Sequence, residues 1–401
     1  MIHSRRAIVC VLLVWIGAVG GCSDSPDVIV EPTPEQALIR GVDWLLLQQA
    51  TDGGWHSATY GPMRGGAGNT GLVLYALSQL SPEIRSKLPA QTQCKLSSAI
   101  QRGQRFLLRQ QDKLGFARGE DGLTDFPTYA SAVLLLSMKP EPAQLSAEQK
   151  QLAAYLRAVQ QTAAQGWKTS DLDYGGWNQT GGDETDAIMA GKTNISVSSF
   201  ALEALATAGL LDEATRKAAL LYLSRCQNFD GQEADGGFYF SPVADNPLNK
   251  AGMITLPDGS TRNRSYGTTT ADGIVALLVC GEAADSPRVA AALSWLEQHY
   301  DPTTLRAPGF PDDPASLALS NGLRFYYAAS LARVMRHLPK AKLNQHRSNL
   351  TQLLVTMQRP DGSWQNEHTM MREDDPLIAT SLAVSALGQA TSESKTGTKQ
   401  D

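Results

Sequence analysis

The sequence has little basic charge and almost no strand-forming pattern. Its 35 lysine and arginine residues stand against 40 acidic residues, which gives a formal net charge of −5 at pH 7. Nucleic-acid binding usually requires a basic face, so this charge balance argues against a nucleic-acid partner. The best strand signal is the short Phe-Tyr-Phe run at 238–240. We therefore expect an all-α fold.

Cysteine is also scarce, at five residues, and no two of them have the CxxC spacing of a metal or redox motif. Two lie near the N-terminus, which leaves an odd number in the body and allows at most one internal disulfide. The three body cysteines are Cys94, Cys226 and Cys280. Asp230, Glu233 and Asp235 lack the spacing of an EF-hand loop. We predict neither a metal site nor a cofactor.

The N-terminus has the layout of an export signal. Arg5 and Arg6 precede an apolar run over 7–19 that is short for a membrane span. The run ends in Gly-Gly-Cys22, and small residues before a cysteine resemble the lipobox of bacterial lipoproteins. The resemblance implies a signal peptide over 1–21 and lipidation of Cys22.

A lipidated Cys22 would attach the protein to a membrane in the cell envelope. Ser23 follows it, which by analogy with proteobacterial sorting favours the outer membrane. Removal of 1–21 takes away two arginines and no acid, so the formal net charge falls from −5 to −7. Residues 22–34 contain three prolines and indicate a tether, and 391–401 are polar and predicted to be disordered.

A short pattern recurs six times in the body, residues 35–390. Each copy has a pair of large apolar residues and a glutamine, and most copies then have a glycine followed by an aromatic residue. The copies lie at 40–55, 102–116, 155–167, 222–238, 295–298 and 353–364. The glycines permit tight turns, and the glutamine is expected to bond the exposed end of an adjacent helix.

A second helix-like stretch follows each copy. These stretches are apolar nearly all round, rich in alanine and poor in charge, which is typical of buried helices. They begin near Gly68, Phe126, Thr193, Tyr266, Asn321 and Asp375. The first helix of each pair has a charged side. The sequence therefore predicts six pairs of outer and inner helices that close into an (α/α)6 toroid.

The repeat pattern of Lys/Arg-Gly, aromatic-Leu, Gln and Gly-x-Trp resembles the QW repeat of squalene and oxidosqualene cyclases and related prenyltransferase folds. The resemblance covers essentially the whole body and implies the terpenoid-cyclase and protein-prenyltransferase toroid. The functional motifs of those enzymes are missing. The sequence has no Asp-x-Asp-Asp-Thr-Ala acid motif, no matching zinc ligands and no pair of aspartate-rich motifs.

All six repeat loops are expected on one face of the ring, which we call the mouth. Six inner-helix N-termini converge there with free N–H groups and partial positive charge, which favours an anionic or carbonyl-bearing ligand. In the cyclases, aromatic rings at such positions line the cavity and stabilise carbocations. The candidate ligand-binding residues are Trp177, Phe238, Tyr239, Tyr266, Phe325 and Tyr326.

Three residues are candidates for catalysis. Asp272 lies about two turns into the fourth inner helix, where an apolar setting would raise its pKa and let it act as an acid. A plainer role for it is a carboxylate paired with a nearby arginine. Glu367 and His368 follow the last Gly-Ser-Trp turn and could form an acid/base pair, or simply a solvated loop pair.

Three functions remain open at this stage. The first is an exported module that binds an apolar or isoprenoid ligand, or a protein partner, at the mouth. The second is a terpenoid-cyclase-type enzyme with Asp272 as a displaced acid. The third is a polysaccharide-processing enzyme, with acids among Asp183, Glu184, Asp186 and Glu367. A plugged centre favours the first, a deep dry cavity the second and a wide acidic groove the third.

Overall fold

The computed structural model describes residues 32–110, 126–180, 192–231, 233–243, 248–339, 343–369 and 371–391. The regular secondary structure of these ranges is almost wholly helical. One antiparallel strand pair, Met253–Thr255 with Thr261–Asn263, lies in the loop before the fourth inner helix. The Phe-Tyr-Phe run makes only an isolated bridge, between Phe238 and Gln227. The all-α prediction is confirmed.

The helices are, in chain order, α1 (Pro34–Leu47), α2 (Ala67–Ser78), α3 (Pro82–Lys87), α4 (Ala90–Arg109), α5 (Pro127–Ser137), α6 (Ala147–Ala158), α7 (Ile195–Thr207), α8 (Glu213–Cys226), α9 (Gly267–Val279), α10 (Pro287–His299), α11 (Pro314–Gly322), α12 (Arg324–His337), α13 (Asn344–Thr356) and α14 (Pro376–Thr391). Short 3₁₀ turns occupy Gly61–Met63, Pro142–Gln144 and Ala163–Gln165. The outer helices are α1, α4, α6, α8, α10 and α13. The inner helices are α2, α5, α7, α9, α12 and α14.

The inner helices pack side by side in chain order, and α14 packs against α2, which closes the ring. The outer helix α1 contacts both α13 and α4, so the outer layer also joins its last helix to its first. Every residue of α2 is buried, as expected for a helix that is apolar all round. The toroid prediction is confirmed. The inner helices begin within three residues of the predicted starts, and the largest difference arises because Asn321 belongs to the short helix α11.

The repeat aromatic anchors each turn between an outer and an inner helix. The indole N–H groups of Trp55, Trp177 and Trp364 donate to carbonyl oxygens of the preceding outer helix, at 2.8, 2.6 and 2.8 Å. The backbone N–H of the same residue donates to a threonine or serine hydroxyl in the first turn of the inner helix, as Trp364 does to Thr380 at 2.9 Å. Gly362 has a φ of 92°, which favours glycine in this turn.

The repeat glutamine joins neighbouring outer helices. Gln358 donates to Gly362 O in its own turn and to Ala37 O in α1, at 2.9 and 2.8 Å. Gln160 and Gln227 make the same two kinds of bond. In the first repeat the bridging residue is Gln49, not the predicted Gln48, which caps α1 with its backbone. The glutamine prediction therefore holds with a shift of one residue in the first copy.

Several predicted features lie outside the described residues. These are the signal peptide, Cys22, most of the tether, the tail from 392, and Asp183, Glu184 and Asp186. Within the described ranges no helix is long and apolar enough to cross a membrane. Cys94, Cys226 and Cys280 are free thiols.

Candidate functional site at the ring mouth

A buried charged cluster built on Arg333 of α12 fills the centre of the ring. Arg333 Nη1 donates to Asp272 Oδ1 at 3.0 Å, while Nη2 and Nε donate to Glu203 Oε2 at 2.7 and 3.0 Å. Its guanidinium carbon lies 3.8 Å from the centroid of the Phe200 ring. The exposed fractions of Asp272, Glu203 and Arg333 are 0%, 1% and 1%. Solvent therefore has almost no contact with these charges.

The cluster forms because three consecutive inner helices each carry a charge that must find a partner. Glu203 is the one charged residue of α7, and Asp272 is the one charged residue of α9. Helix α7 packs against α9, and α9 packs against α12, which supplies Arg333. A buried charge is tolerated when it is paired and hydrogen-bonded. Ring closure therefore brings the three ions together.

Asp272 is surrounded by hydrogen-bond donors. Its Oδ1 accepts from Ser330 Oγ at 3.0 Å as well as from Arg333, and its Oδ2 accepts from Tyr326 Oη at 3.0 Å. Ser196 contributes a further side-chain hydrogen bond. The pKa of Asp272 is raised above its ordinary value, because the effect of burial exceeds the lowering effect of Arg333 and the three hydroxyl groups. A carboxylate that only accepts is suited to the ionised form, so Asp272 serves as the counterion of Arg333.

The cluster continues toward the face opposite the mouth. Glu203 Oε1 pairs with Arg336 and lies 3.6 Å from His337 Nε2. Arg336 also donates to Gln79 Oε1 at 2.8 Å. Burial lowers the pKa of His337 to about 3, and the two nearby arginines act in the same direction, so this imidazole is neutral. Two arginines thus balance two carboxylates along the ring axis.

The floor of the mouth lies directly above Asp272. Tyr129, Ser196 and Tyr326 occupy the first turns of α5, α7 and α12, and all three are partly exposed. Tyr129 packs edge-on against Phe200, with ring centroids 5.0 Å apart. Burial raises the pKa of both tyrosines, so both phenols stay neutral. This floor offers the partly exposed side chains of two tyrosines and a serine to a ligand.

Several inner-helix N-termini at the mouth are already capped by side chains. The Glu373 carboxylate accepts from the N–H groups of Phe325 and Tyr326 at 2.9 and 2.8 Å, and burial raises the pKa of Glu373 to about 7. Asn194 caps α7 and Asp375 caps α14. The predicted anion site at free N–H groups is therefore not available at α7, α12 or α14, because their donors are satisfied.

Most of the predicted ligand-binding aromatics belong to the core. Trp177, Phe238, Tyr266 and Phe325 are buried, so these side chains have almost no surface with which to contact a ligand. These four side chains pack the repeat turns and inner-helix starts, and ligand binding by them stays a prediction. Tyr239 is partly exposed, but its hydroxyl donates to Arg225 O at the end of α8. Tyr326 is the predicted residue that reaches the mouth floor.

The candidate acid/base pair lies in the last repeat loop. Glu367 Oε1 is 3.5 Å from His368 Nε2, and Glu367 is 76% exposed. His368 is also held through its backbone N–H, which donates to Asn366 Oδ1 at 3.1 Å. This geometry is that of a solvated pair.

Four important residues were missed by sequence reasoning: Glu203, Arg333, Arg372 and Glu373. Glu203 carried a usable signal, because an isolated charge in an otherwise apolar helix requires a buried partner, whereas Arg333 shares α12 with two further arginines. Glu373 was obscured by the two aspartates that follow it, since only Asp375 was interpreted as a helix cap.

A closed ring of outer and inner helix pairs defines an α/α toroid. The sequence model of the prenyltransferase alpha-alpha toroid domain matches residues 179–342 and 309–398, more than half of the chain. The chain belongs to this family. No curated protein matches it.

Solved structures share the fold at low identity. The type II terpene cyclase MstE from Scytonema, in its apo form, is 16% identical with a TM-score of 0.56 over 89% of this chain and 98% of its own. A protein from Actinoplanes is 17% identical with a TM-score of 0.51, covering 90% and 100%. An α-1,6-mannanase from Salegentibacter is 12% identical with a TM-score of 0.52, covering 88% and 99%. At these identities the likeness concerns the fold alone.

Proposed function

We propose that this toroid is a binding protein that holds an apolar or isoprenoid ligand at its mouth, rather than a cyclase. The observation that carries the proposal is the state of Asp272. It is the counterion of Arg333, it accepts hydrogen bonds on both oxygens, and it has no exposed surface. The ring centre beneath the mouth floor is filled by this cluster.

A protonating cyclase requires an acid that carries a proton and reaches the ligand. Asp272 does not reach the ligand, because it has no exposed surface and Tyr326 stands between it and the mouth, while both of its oxygens accept hydrogen bonds. Burial raises the pKa of Glu373 to about 7, but its oxygens are engaged by the N-terminus of α12 and it is buried. Neither carboxyl group is positioned to protonate a ligand.

The mouth floor suits an apolar ligand. Tyr129 and Tyr326 are partly exposed, and Ser196 of α7 lies between them in the chain order of the inner helices. Aromatic faces contribute a large contact area to ligand sites. Binding of a protein partner at the same face is the competing outcome, because the mouth is formed by loops that a partner could contact.

We infer that this binding takes place in the cell envelope. Support comes from Arg5 and Arg6, the apolar run over 7–19 and the small residues before Cys22. A lipid anchor would keep the toroid at a membrane that contains apolar ligands. Isoprenoid diphosphate pools are cytoplasmic, so an exported prenyltransferase would lack its donor.

The test is native mass spectrometry of the full chain purified in mild detergent, followed by extraction of any bound small molecule. Ser196→Trp places a large side chain on the mouth floor, whereas Ser97→Trp places one on an exposed position of α4. We expect a co-purifying apolar molecule in the wild-type protein and in Ser97→Trp, and its loss in Ser196→Trp. Circular dichroism serves as the control that both variants fold.

Three results would count against the proposal. An empty wild-type ring would overturn small-molecule binding, and a co-purifying protein instead would leave an interaction module. Retention of the molecule by Ser196→Trp would place its site away from the mouth floor. A cyclised product formed from an added linear isoprenoid, and lost in Asp272→Asn, would establish the cyclase alternative.

A further inference from the structure

Arg372 lies across the mouth between two aromatic rings. It belongs to the last repeat loop, just before α14. Its guanidinium carbon is 5.6 Å from the centroid of the Tyr60 ring and 5.7 Å from that of Phe126. Tyr60 precedes α2 and Phe126 directly precedes α5. Three segments that are remote in sequence therefore place one cation among the N-terminal ends of α2, α5 and α14.

The backbone at this contact is strained. Arg372 has a φ of 64° and Phe126 a φ of 50°, both in the left-handed region that costs a non-glycine residue roughly 1–2 kcal/mol. Among the described residues, the non-glycine positions with positive φ are Phe126, Lys139, Leu343 and Arg372. Two of these four contact each other at the mouth. Strain of this kind is concentrated at ligand clamps and active sites.

The charge of Arg372 has no counterion within the described residues. The three acids that follow it in sequence are committed elsewhere: Glu373 caps α12, Asp374 accepts from Tyr60 Oη, and Asp375 caps α14 and accepts from Ser57 Oγ. No carboxylate oxygen of the described ranges lies within ion-pair distance of its guanidinium group. Its side-chain N–H groups are thus free to bind a ligand.

We propose that Arg372 binds the carboxylate head of the mouth ligand, which makes that ligand an amphiphile with one negative charge and an apolar body. This inference rests on the proposed function, since it adds a head-group site to the aromatic floor. A guanidinium group matches a carboxylate with two parallel hydrogen bonds. Glu373 and Asp375 are held at helix N-termini, but Asp374 is not, and its negative charge opposes a doubly charged phosphate more than a singly charged carboxylate.

The test compares two probes that share one apolar chain, geranylgeranoic acid and geranylgeraniol. Their Kd values are measured by calorimetry for the wild-type protein, Arg372→Gln and the control Arg105→Gln, which removes an exposed charge on the outer helix α4. A hydrogen bond to a charged group contributes about 1.5–3 kcal/mol. We expect the acid to bind wild type roughly 10- to 100-fold more tightly than the alcohol.

Arg372→Gln should weaken binding of the acid to the level of the alcohol and leave the alcohol unchanged, whereas Arg105→Gln should change neither. Arg372→Lys keeps the positive charge but lacks the two parallel N–H donors of the guanidinium group, so it should retain part of the preference for the acid over the alcohol. It also serves as a second variant in case Arg372→Gln does not fold. Equal Kd values for acid and alcohol in wild type, or a preference that survives in Arg372→Gln, would overturn the head-group site while mouth binding stands. If neither probe binds, the proposed function fails as well.

Discussion

The charged cluster at the ring centre has energetic consequences for single residues. A buried ion pair adds little to the free energy of unfolding compared with an apolar replacement of both residues. Removing one partner alone is costly, because it leaves the other charge buried without compensation. Arg333 faces two carboxylates, Asp272 and Glu203, at hydrogen-bond distance. It therefore controls the stability of the whole cluster.

We predict that Arg333→Met lowers the free energy of unfolding by about 3–5 kcal/mol, because Asp272 and Glu203 lose their main counterion. Combining it with Asp272→Asn and Glu203→Gln should recover much of this loss, since the cluster then carries fewer buried charges. Urea unfolding followed by circular dichroism measures both effects. A loss below about 1 kcal/mol in Arg333→Met would contradict the pairing described above.

Glu373 should make stability depend on pH. Its pKa is about 7 in the folded protein and near 4.5 in the unfolded chain, so the folded state binds more protons between these values. Its stabilising contribution is complete below about pH 4.5 and is lost as the pH rises to about 7. The loss amounts to up to about 3 kcal/mol.

The measurement is the difference in unfolding free energy between wild type and Glu373→Gln from pH 4.5 to 8. Wild type should lose stability relative to the variant as the pH rises through this window, because glutamine does not titrate. A constant difference across the window would show that the pKa of Glu373 is close to its ordinary value.

At the scale of the element, each repeat is a helix pair whose turn is fixed by an indole and a glutamine. Gln358 bonds both its own turn and α1, and so it joins the last outer helix to the first. In the fifth repeat the corresponding Gln298 bonds only an exposed serine of its own helix, Ser294. The two glutamines are a natural pair for comparison.

We predict that Gln358→Ala lowers the free energy of unfolding by about 1–3 kcal/mol, because it removes two hydrogen bonds and leaves buried carbonyl oxygens without a donor. Gln298→Ala should change stability by less than about 0.5 kcal/mol, as expected for a surface position. Chemical denaturation of both variants provides the comparison. Equal losses of unfolding free energy in the two variants would mean that the Gln358 hydrogen bonds do not stabilise the contact between the last and the first outer helix.

At the scale of the whole molecule, ring closure distinguishes this toroid from an open array of repeats. The helix α1 runs toward the mouth and α14 runs away from it, and the two pack together. The start of α1 and the end of α14 therefore lie near each other on the face opposite the mouth. A linker of about ten residues, with an average span of roughly 17 Å, should connect them.

We predict that a circular permutant of residues 32–391, joined by such a linker and opened between Ala284 and Asp285, retains its helical content and one cooperative thermal transition. The cut lies in an exposed connection between α9 and α10, and all ring contacts are preserved. The matched control is the fragment 32–284, which lacks the last helix pairs. If that fragment melts as cooperatively as the permutant, closure does not contribute to stability.

The order and layering of the six helix pairs could be predicted from the sequence because their signals are local, whereas the short helices α3 and α11 were not predicted. A helix that is apolar on all sides must be inside, and one with a charged side must be outside. The repeat spacing located the turns, and five of six inner-helix starts were placed within two residues. The glutamine of the first repeat was misplaced by one position because Gln48 and Gln49 are adjacent and only helix packing selects between them.

The site depended on contacts that are remote in sequence. Glu203, Asp272 and Arg333 belong to three different helices, and only ring closure shows that they form one cluster. The predicted aromatics Phe325 and Tyr326 are adjacent in α12, and a rotation of about 100° per residue buries Phe325 and lets Tyr326 reach the mouth. The sequence by itself determined a toroid of six helix pairs without the cyclase acid motif. The tertiary structure decided that Asp272, Glu203 and Arg333 form a buried ion cluster and that Arg372 has no counterion among the described residues, because contacts between remote segments determine which charges meet.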